Sequence, residues 1–534
     1  MQGKKPYTEK LFNNFQLSER VPQDNFYRRL KEALNLQFVR TATAQYYGNE
    51  GQKSIDPEVF FKLLLVGYLE NLNSDRRIIE HAKMRLDILY FIGYDIDEEL
   101  PWHSTISRTR QLYGEEIFIS LFRAVLKQCI DKGMVRGKRQ ALDSALIKAN
   151  ASLDSLQEKE VLDDVETYSE ELNENSEYKA CSEPSRTVSA AKKKQVEQHH
   201  KWKTEEYKDQ PGHSRKEKEE DKGEHGKLMR GKYLSNHTHY STTDPDARIA
   251  VKPGKARQMN YFAQIAVDDA NHVITGAMAN YADKRDSQCL AALVNQTSDN
   301  LKENELNIDQ ITADTGYSSG DALRYLAFQN IDAYIPNFGQ YKPEREGFIY
   351  NKELDQYECK RGNKAILPFK KITTTTNRYE VKTYRSSETV CKNCELRTTC
   401  IGLKTKYKKI DDTLDKPLYD AMHKKMQTPY AKRISRIRSA TVEPVLGTLI
   451  NFLNMKRINT RGIKQANKHI IMAATCYNLK KLLKWKDNKR ISVPNPLEIF
   501  AKSTKESLLL TICLFRFIRL HLKPKNFLPT YSLS

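Results

Sequence analysis

The chain predicts a mixed α/β protein, one sheet flanked by helices, with a helical block before it and a cysteine-rich segment inserted late in it. Three patterns carry that expectation. Residues from about 20 to 135 hold amphipathic runs such as DNFYRRLKEALNLQFV and PEVFFKLLLVGYLENL, and Asp56-Pro57 reads as a helix start. YFAQIAVDDANHVITGAMANY alternates apolar and polar residues about a turn at Asn271, the signature of a β-hairpin. After it come a helix (SQCLAALVNQTSDNL), a strand (IDQITAD), a helix (ALRYLAFQN) and a strand (AYIP), an order that sets helices against a sheet of mixed direction.

At 534 residues the chain is long enough for several domains. The patterns divide it into a helical N-terminal domain at 1–135, a first piece of sheet at 136–151, a charged insertion or linker at 152–227, the continuation of the sheet at 228–345, a cysteine-rich insertion at 346–410, a basic helical part at 411–490, and a tail at 491–534 with no assignment. The 152–227 segment has too few apolar residues for a core. Its histidines, His199, His200, His213 and His225, lack the spacing of metal ligands. In the tail, LLLTICLFRFIRL is interrupted by Arg516 and Arg519 and is too short to span a bilayer, so a packed or partner-binding helix is expected and no membrane association. The N-terminus lacks the apolar core of a secretion signal, which points to the cytoplasm.

Three acids stand out. Asp143 lies in RQALDSALIKANAS after an apolar approach, Asp314 ends IDQITAD before a GYSSGDAL turn, and Glu443 lies in RSATVEPVLGTLINFLN beside an apolar stripe of Val442, Val445, Leu446 and Leu449. Two carboxylates at strand ends and one from a packed helix can converge, and such a cluster is stable mainly when divalent cations neutralise it. The chemistry expected is metal-assisted attack on a phosphodiester. Taken singly, each acid is equally readable as a cap or turn residue. Asp244 and Asp246 in TTDPDA read as a turn, with an accessory site as the weaker alternative.

Charge agrees with a polyanionic partner. The formal charge is +20, and between Ile401 and Arg490 there are 22 Lys and Arg against 6 Asp and Glu, so much of the excess surrounds Glu443. Basic side chains gain affinity by releasing counterions from phosphates. Lys456, Arg457, Arg461, Lys464 and Lys468 are expected to track a phosphate backbone, while Tyr317 reads as a base-stacking ring or as core. Cys359, Cys391, Cys394 and Cys400, the last three in CKNCELRTTC, have the pattern of a tetrathiolate zinc site, with a redox pair or a metal-free cluster as alternatives.

The chain resembles bacterial insertion-sequence transposases of the DDE type, with a ribonuclease-H-like catalytic core. The matching passages run from about residue 30 to 485: WHSTISRTR, LDSALIKANAS, STTDPDARIAVKPG, NYFAQIAVD, ITADTGYSSGDAL, the cysteine group, and VEPVLG followed by NMKRINTRG. The resemblance implies that Asp143, Asp314 and Glu443 hold two Mg²⁺ ions, for which Mn²⁺ can substitute. It implies cleavage of double-stranded DNA at terminal inverted repeats and transfer into target DNA, by a homodimer that pairs two ends, with the N-terminal domain binding the ends. Related transposases place a Lys or Arg seven residues after the glutamate, where this chain has Ile450, and an arginine before it at an offset that falls on Ser439. Arg436 and Arg438 flank that offset. Arg436, two helical turns before Glu443 and on its face, is the substitute phosphate ligand. The alternatives are a ribonuclease-H-like nuclease without strand transfer, and an inactive, domesticated transposase that only binds DNA.

Overall fold

The structure, a computed structural model, describes residues 16–48, 54–158, 236, 239–250, 257–339, 341–361, 364–374, 380–401 and 405–485. The expected linker beyond residue 158, with its four histidines, and the expected tail helix lie outside the described residues. The elements below belong to a unit that ends at Leu483.

Eight helices open the described chain: α1 (Leu17–Arg20), α2 (Phe26–Ala33), α3 (Gln37–Thr43), α4 (Pro57–Leu69), α5 (Asp75–Lys83), α6 (Leu86–Ile92), α7 (His103–Leu112) and α8 (Glu115–Asp131). Asp56 caps α4 by accepting from the Glu58 N–H at 2.8 Å, and Pro57 occupies the first turn, where a missing donor costs nothing. From Val59 to Tyr68 nearly every residue of α4 is buried, so α4 is the centre of this layer rather than a surface helix. Phe60, Phe61, Tyr113 and Phe118 interlock around it, mostly edge to face.

The sheet follows, from β1 (Arg139–Lys148), β4 (Arg248–Ala250), β5 (Gln258–Asp268), β6 (Ile274–Tyr281), β7 (Gln310–Thr312) and β8 (Asp332–Tyr334), while β2 (Leu156–Glu158) and β3 (His239–Ser241) form a separate two-stranded ladder. β1 pairs antiparallel with β5 on one side and parallel with β7 on the other. Beyond β5 lie β6 and β4, both antiparallel to it, and beyond β7 lies β8, parallel to it. The expected hairpin is β5–β6, with His272 rather than Asn271 in the left-handed conformation of its turn. α9 (Asp286–Lys302) and α10 (Gly320–Phe328) cover one face, where Leu142 and Ala266 pack against Leu290, Leu293, Val294, Leu323 and Leu326.

A second sheet of β9 (Phe348–Asn351), β10 (Gln356–Cys359), β11 (Ile366–Thr374), β12 (Glu380–Arg385) and β13 (Lys409–Thr413) runs antiparallel throughout about a core of Tyr357, Leu367, Tyr384 and Ile410. Two short helices, α11 (Glu388–Lys392) and α12 (Arg397–Cys400), sit between its last strands.

Three helices close the described chain: α13 (Lys416–Met426), α14 (Pro429–Phe452) and α15 (Ile463–Lys484). α15 is buried almost continuously from Ala466 to Leu479 and ties the two layers together. Its Asn478 side chain exchanges hydrogen bonds with the backbone of Ile274 on β6, at 2.9 and 2.8 Å, and its His469 Nδ1 meets the Tyr68 hydroxyl of α4 at 2.9 Å. Burial pushes the His469 pKa down to about 4. An unfolded chain takes up this proton near pH 6.5, so stability is lost as pH falls through the interval between the two values, by about 3 kcal/mol in all. Urea midpoints at pH 7.5 and 5.0 should differ accordingly, with a smaller difference in His469→Gln. Equal pH sensitivity of the two proteins would contradict it.

Candidate active site

Asp143 lies in the middle of β1, not at its end as the sequence suggested, because the strand continues through the alternating residues Ala145 and Ile147. Alternation along β1 and β5 sets Asp143 and its register partner Ile265 on one face, and Ser144 and its partner Gln264 on the other, which α9 and α10 cover. Asp143 Oδ1 accepts from the Ser144 N–H at 2.8 Å, and Arg438 of α14 approaches Oδ2 at 3.4 Å. Both side chains of that pair are largely buried, at 16% and 13% exposure, so the arginine offsets a carboxylate that burial disfavours.

Asp314 follows β7 by two residues. Since Ala141 is level with Thr312 in the parallel β1–β7 pair, extending the register brings Asp314 level with Asp143. Asp314 caps a 3₁₀ turn, Thr315–Tyr317, by accepting from the Gly316 N–H at 2.9 Å. Tyr317 is fully buried, which excludes base stacking and leaves the core alternative. Burial first, then the negative charges of Asp286, Asp143 and Asp314, push its phenol well above its usual pKa. All three carboxylates are thus within electrostatic reach of this phenol. Asp286, at the start of α9, escaped sequence reasoning because it carries no motif and reaches Asp314 only through the fold.

Glu443 lies on α14, whose Val442, Val445, Leu446 and Leu449 are buried as the stripe required, and α14 packs on β1. Glu443 itself is exposed, as is Arg436 on the same helical face. The structure therefore places Asp143 on β1, Asp314 two residues beyond the neighbouring β7, and Glu443 on the helix packed against β1. It does not draw the three together: among the described residues, no three His, Cys, Asp or Glu side chains are grouped as ligands of one ion. Pro444 stands inside α14 and leaves the Ala440 carbonyl without its usual helical donor, a local weakness beside Glu443.

The basic residues divide. Lys456, Arg457, Arg461 and Lys464 are exposed. Their segment adjoins the end of β1, where the Ile458 N–H bonds to the Lys148 carbonyl at 2.9 Å, five residues or about 17 Å along the strand from Asp143. Lys468 is 3% exposed and donates to the Arg110 and Tyr113 carbonyls at 3.0 and 2.6 Å. It fastens α15 to the α7–α8 junction and is not available to phosphate, a correction to the sequence expectation. Arg438 is likewise engaged, by Asp143.

Asp244 and Asp246 hold the start of α15. Asp244 accepts from the Gly462 N–H at 3.0 Å and from the Tyr261 hydroxyl at 2.7 Å, and Asp246 accepts from the Ile463 N–H at 2.9 Å. These bonds give both acids a structural role at the start of the helix, in keeping with the turn reading. Cys359, Cys391, Cys394 and Cys400 line a single cavity against Leu367 and Val390. Their thiols are not gathered at ligand distances; the Cys359 thiol bonds to the Arg361 carbonyl at 2.6 Å and Cys391 to the Ser386 hydroxyl at 3.0 Å.

Two segments of the chain match known families. Residues 15–112 match the transposase domain DUF772, and residues 358–483 match a transposase DDE domain. Both matched segments are transposase domains, as the resemblance to insertion-sequence DDE transposases implied. The second match contains Glu443 and the four cysteines but neither Asp143 nor Asp314, which rest on the geometry above. No curated protein matches this transposase. No helix among its described residues is long and apolar enough to cross a membrane.

Proposed function

We propose that this transposase cuts double-stranded DNA at the terminal inverted repeats of its element and joins the freed 3′ ends to target DNA in the cytoplasm, as a homodimer, with Asp143, Asp314 and Glu443 as the catalytic acids of a ribonuclease-H-like core. The reading is supported by the central position of β1 and its parallel neighbour β7, with Asp143 on β1, Asp314 two residues beyond β7, and the helix bearing Glu443 packed against β1. The strand order β6-β5-β1-β7-β8, antiparallel on one side of β1 and parallel on the other, supports such a core.

The donor chemistry fits Mg²⁺, with Mn²⁺ as substitute, because carboxylates are hard oxygen ligands. When bound, two such ions supply an activated water or 3′-hydroxyl and stabilise the leaving oxygen. The chain's own contribution is positioning. β1 carries one acid and the turn after β7 carries another, Arg438 holds Asp143 in place, and the exposed Arg436, on the face of Glu443, is set to meet phosphate. Labelled element ends incubated with Mg²⁺ and a target plasmid test the reading: joined products support it, and nicks without joining assign a nuclease instead.

The exposed cations Lys456, Arg457, Arg461 and Lys464 would bind the backbone beyond the cut. Replacing Lys456 and Arg457 together by Ala should weaken binding to all DNA sequences and reduce the slope of log K against log salt by about 1.8, at about 0.9 per phosphate contact. An unchanged slope in a fluorescence-anisotropy titration would remove these residues from the interface. The four cysteines that line one cavity fit a structural Zn²⁺, since a thiolate set in a small sheet selects that ion.

A further inference from the structure

We infer that Asp286 is a positioning residue for the acid pair, acting on Asp314 through a buried hydrogen-bond chain of Gln264 and Tyr317; this rests on the catalytic reading of Asp143 and Asp314 given above. Gln264 is fully buried in β5, directly across from Ser144 on the strand that carries Asp143. An amide in that position costs free energy unless both of its ends are bonded. Both are. The Tyr317 hydroxyl donates to Gln264 Oε1, and Gln264 Nε2 donates to Asp286 Oδ1 at 3.1 Å. The direction of the chain is fixed by the carboxylate: Asp286 can only accept, so it takes the amide end of Gln264, and the carbonyl end is left to accept from the Tyr317 hydroxyl.

Tyr317 ends the same short turn that Asp314 begins. The Tyr317 N–H bonds to the Asp314 carbonyl at 3.3 Å, and Gly316 between them gives its N–H to Asp314 Oδ1. The turn has no spare room. A β-carbon on Gly316 would lie 2.7 Å from Asp286 Oδ2 and 3.0 Å from Asp314 Oδ1, so the two carboxylates stand no farther apart than the sum of those distances, with a glycine between them. Asp286 thus orients Gln264, Gln264 anchors the Tyr317 ring to the central strands, and the anchored turn sets Asp314 relative to Asp143. Without the chain the β7 turn would lose this tie to β5, and a misplacement of about 1 Å at a reacting group costs about a hundredfold in rate.

The test uses the full chain, with Mn²⁺ binding followed by electron paramagnetic resonance and cleavage of labelled element ends measured alongside. Asp286→Ala, Gln264→Leu and Tyr317→Phe should each weaken Mn²⁺ binding about tenfold and slow cleavage about a hundredfold. Asp286→Asn should stay within about threefold of the parent in both, because its amide oxygen still accepts from Gln264. Tyr317→Phe keeps the ring in its cavity and serves if Gln264→Leu does not fold. Parent-like Mn²⁺ affinity in the Ala and Phe variants would overturn the inference. So would an Asn variant as damaged as the Ala variant, since Asp286 would then act by its charge on the ion. Asp314→Asn is the control for the underlying reading: if it leaves Mn²⁺ binding intact, the metal site itself is wrongly placed, whatever the Asp286 variants do.

Discussion

Asp143→Asn and Asp314→Asn should each lower cleavage of element ends by about a thousandfold while leaving the affinity for DNA within about threefold. The magnitude follows from the role. A metal acting as Lewis acid on a phosphodiester supplies several kcal/mol of transition-state stabilisation, and each tenfold in rate is worth about 1.4 kcal/mol. Asparagine preserves the size of either side chain, and at Asp314 its amide oxygen can still accept from the Gly316 N–H, so the turn should persist. DNA affinity is expected to survive because the exposed cations on the segment after α14 are untouched. The two variants will differ in one respect. Asp143→Asn also leaves Arg438 without its carboxylate in a place where that arginine is only 13% exposed, so it should lose stability as well as activity, whereas Asp314 forms no ion pair among the described residues. Full cleavage activity in either variant, measured with Mg²⁺ at saturating DNA, would remove that residue from the catalytic set and favour a protein that binds DNA without cutting it.

Much of this arrangement was legible in the sequence because it is written locally. The Asp56-Pro57 helix start, the β5–β6 alternation and the apolar stripe of α14 depend on residues within a turn or two of each other, where periodicity decides burial. What could not be read depends on register and on contacts between distant segments. Asp143 meets Arg438 and Gln264 meets Asp286 only because β1, β5, α9 and α14 are brought together. Lys468 looks like one more surface cation in a basic run, yet it occupies a helix buried on nearly every side, and two backbone carbonyls of the N-terminal layer accept its charge. A buried helix of mixed composition has no one-sided stripe to announce which lysine faces inward. The exposed position of Glu443 is of the same kind: the sequence places it beside the stripe, and the helix's rotation against β1 decides whether it points toward the other acids.

Removal of zinc should unfold the second sheet without touching the first. The core of β9 to β13 is small, resting on Tyr357, Leu367, Tyr384, Ile410 and Ala365, and two short helices with the turn between them carry three of the four cysteines, the helices burying no residue of their own. Such a module gains much of its folding free energy from a metal, because ligands that are scattered in the unfolded chain bind only when the fold gathers them. Cys391 already packs against the core that Cys359 borders, so closing the cavity requires local rotation of thiols now bonded to Arg361 and Ser386 and no change of strand pairing. Protein prepared with zinc should contain about one ion per chain. Cys394→Ser should lose it, and limited proteolysis should then cut within residues 348–413 while the segments on either side stay intact. The expected loss is several kcal/mol for that module alone. DNA cleavage should fall only to the extent that α14, which follows the sheet through α13, loses its seat on β1. Chain that purifies free of zinc, and whose Cys394→Ser variant resists protease as the parent does, would show that the four thiols hold this sheet by packing instead.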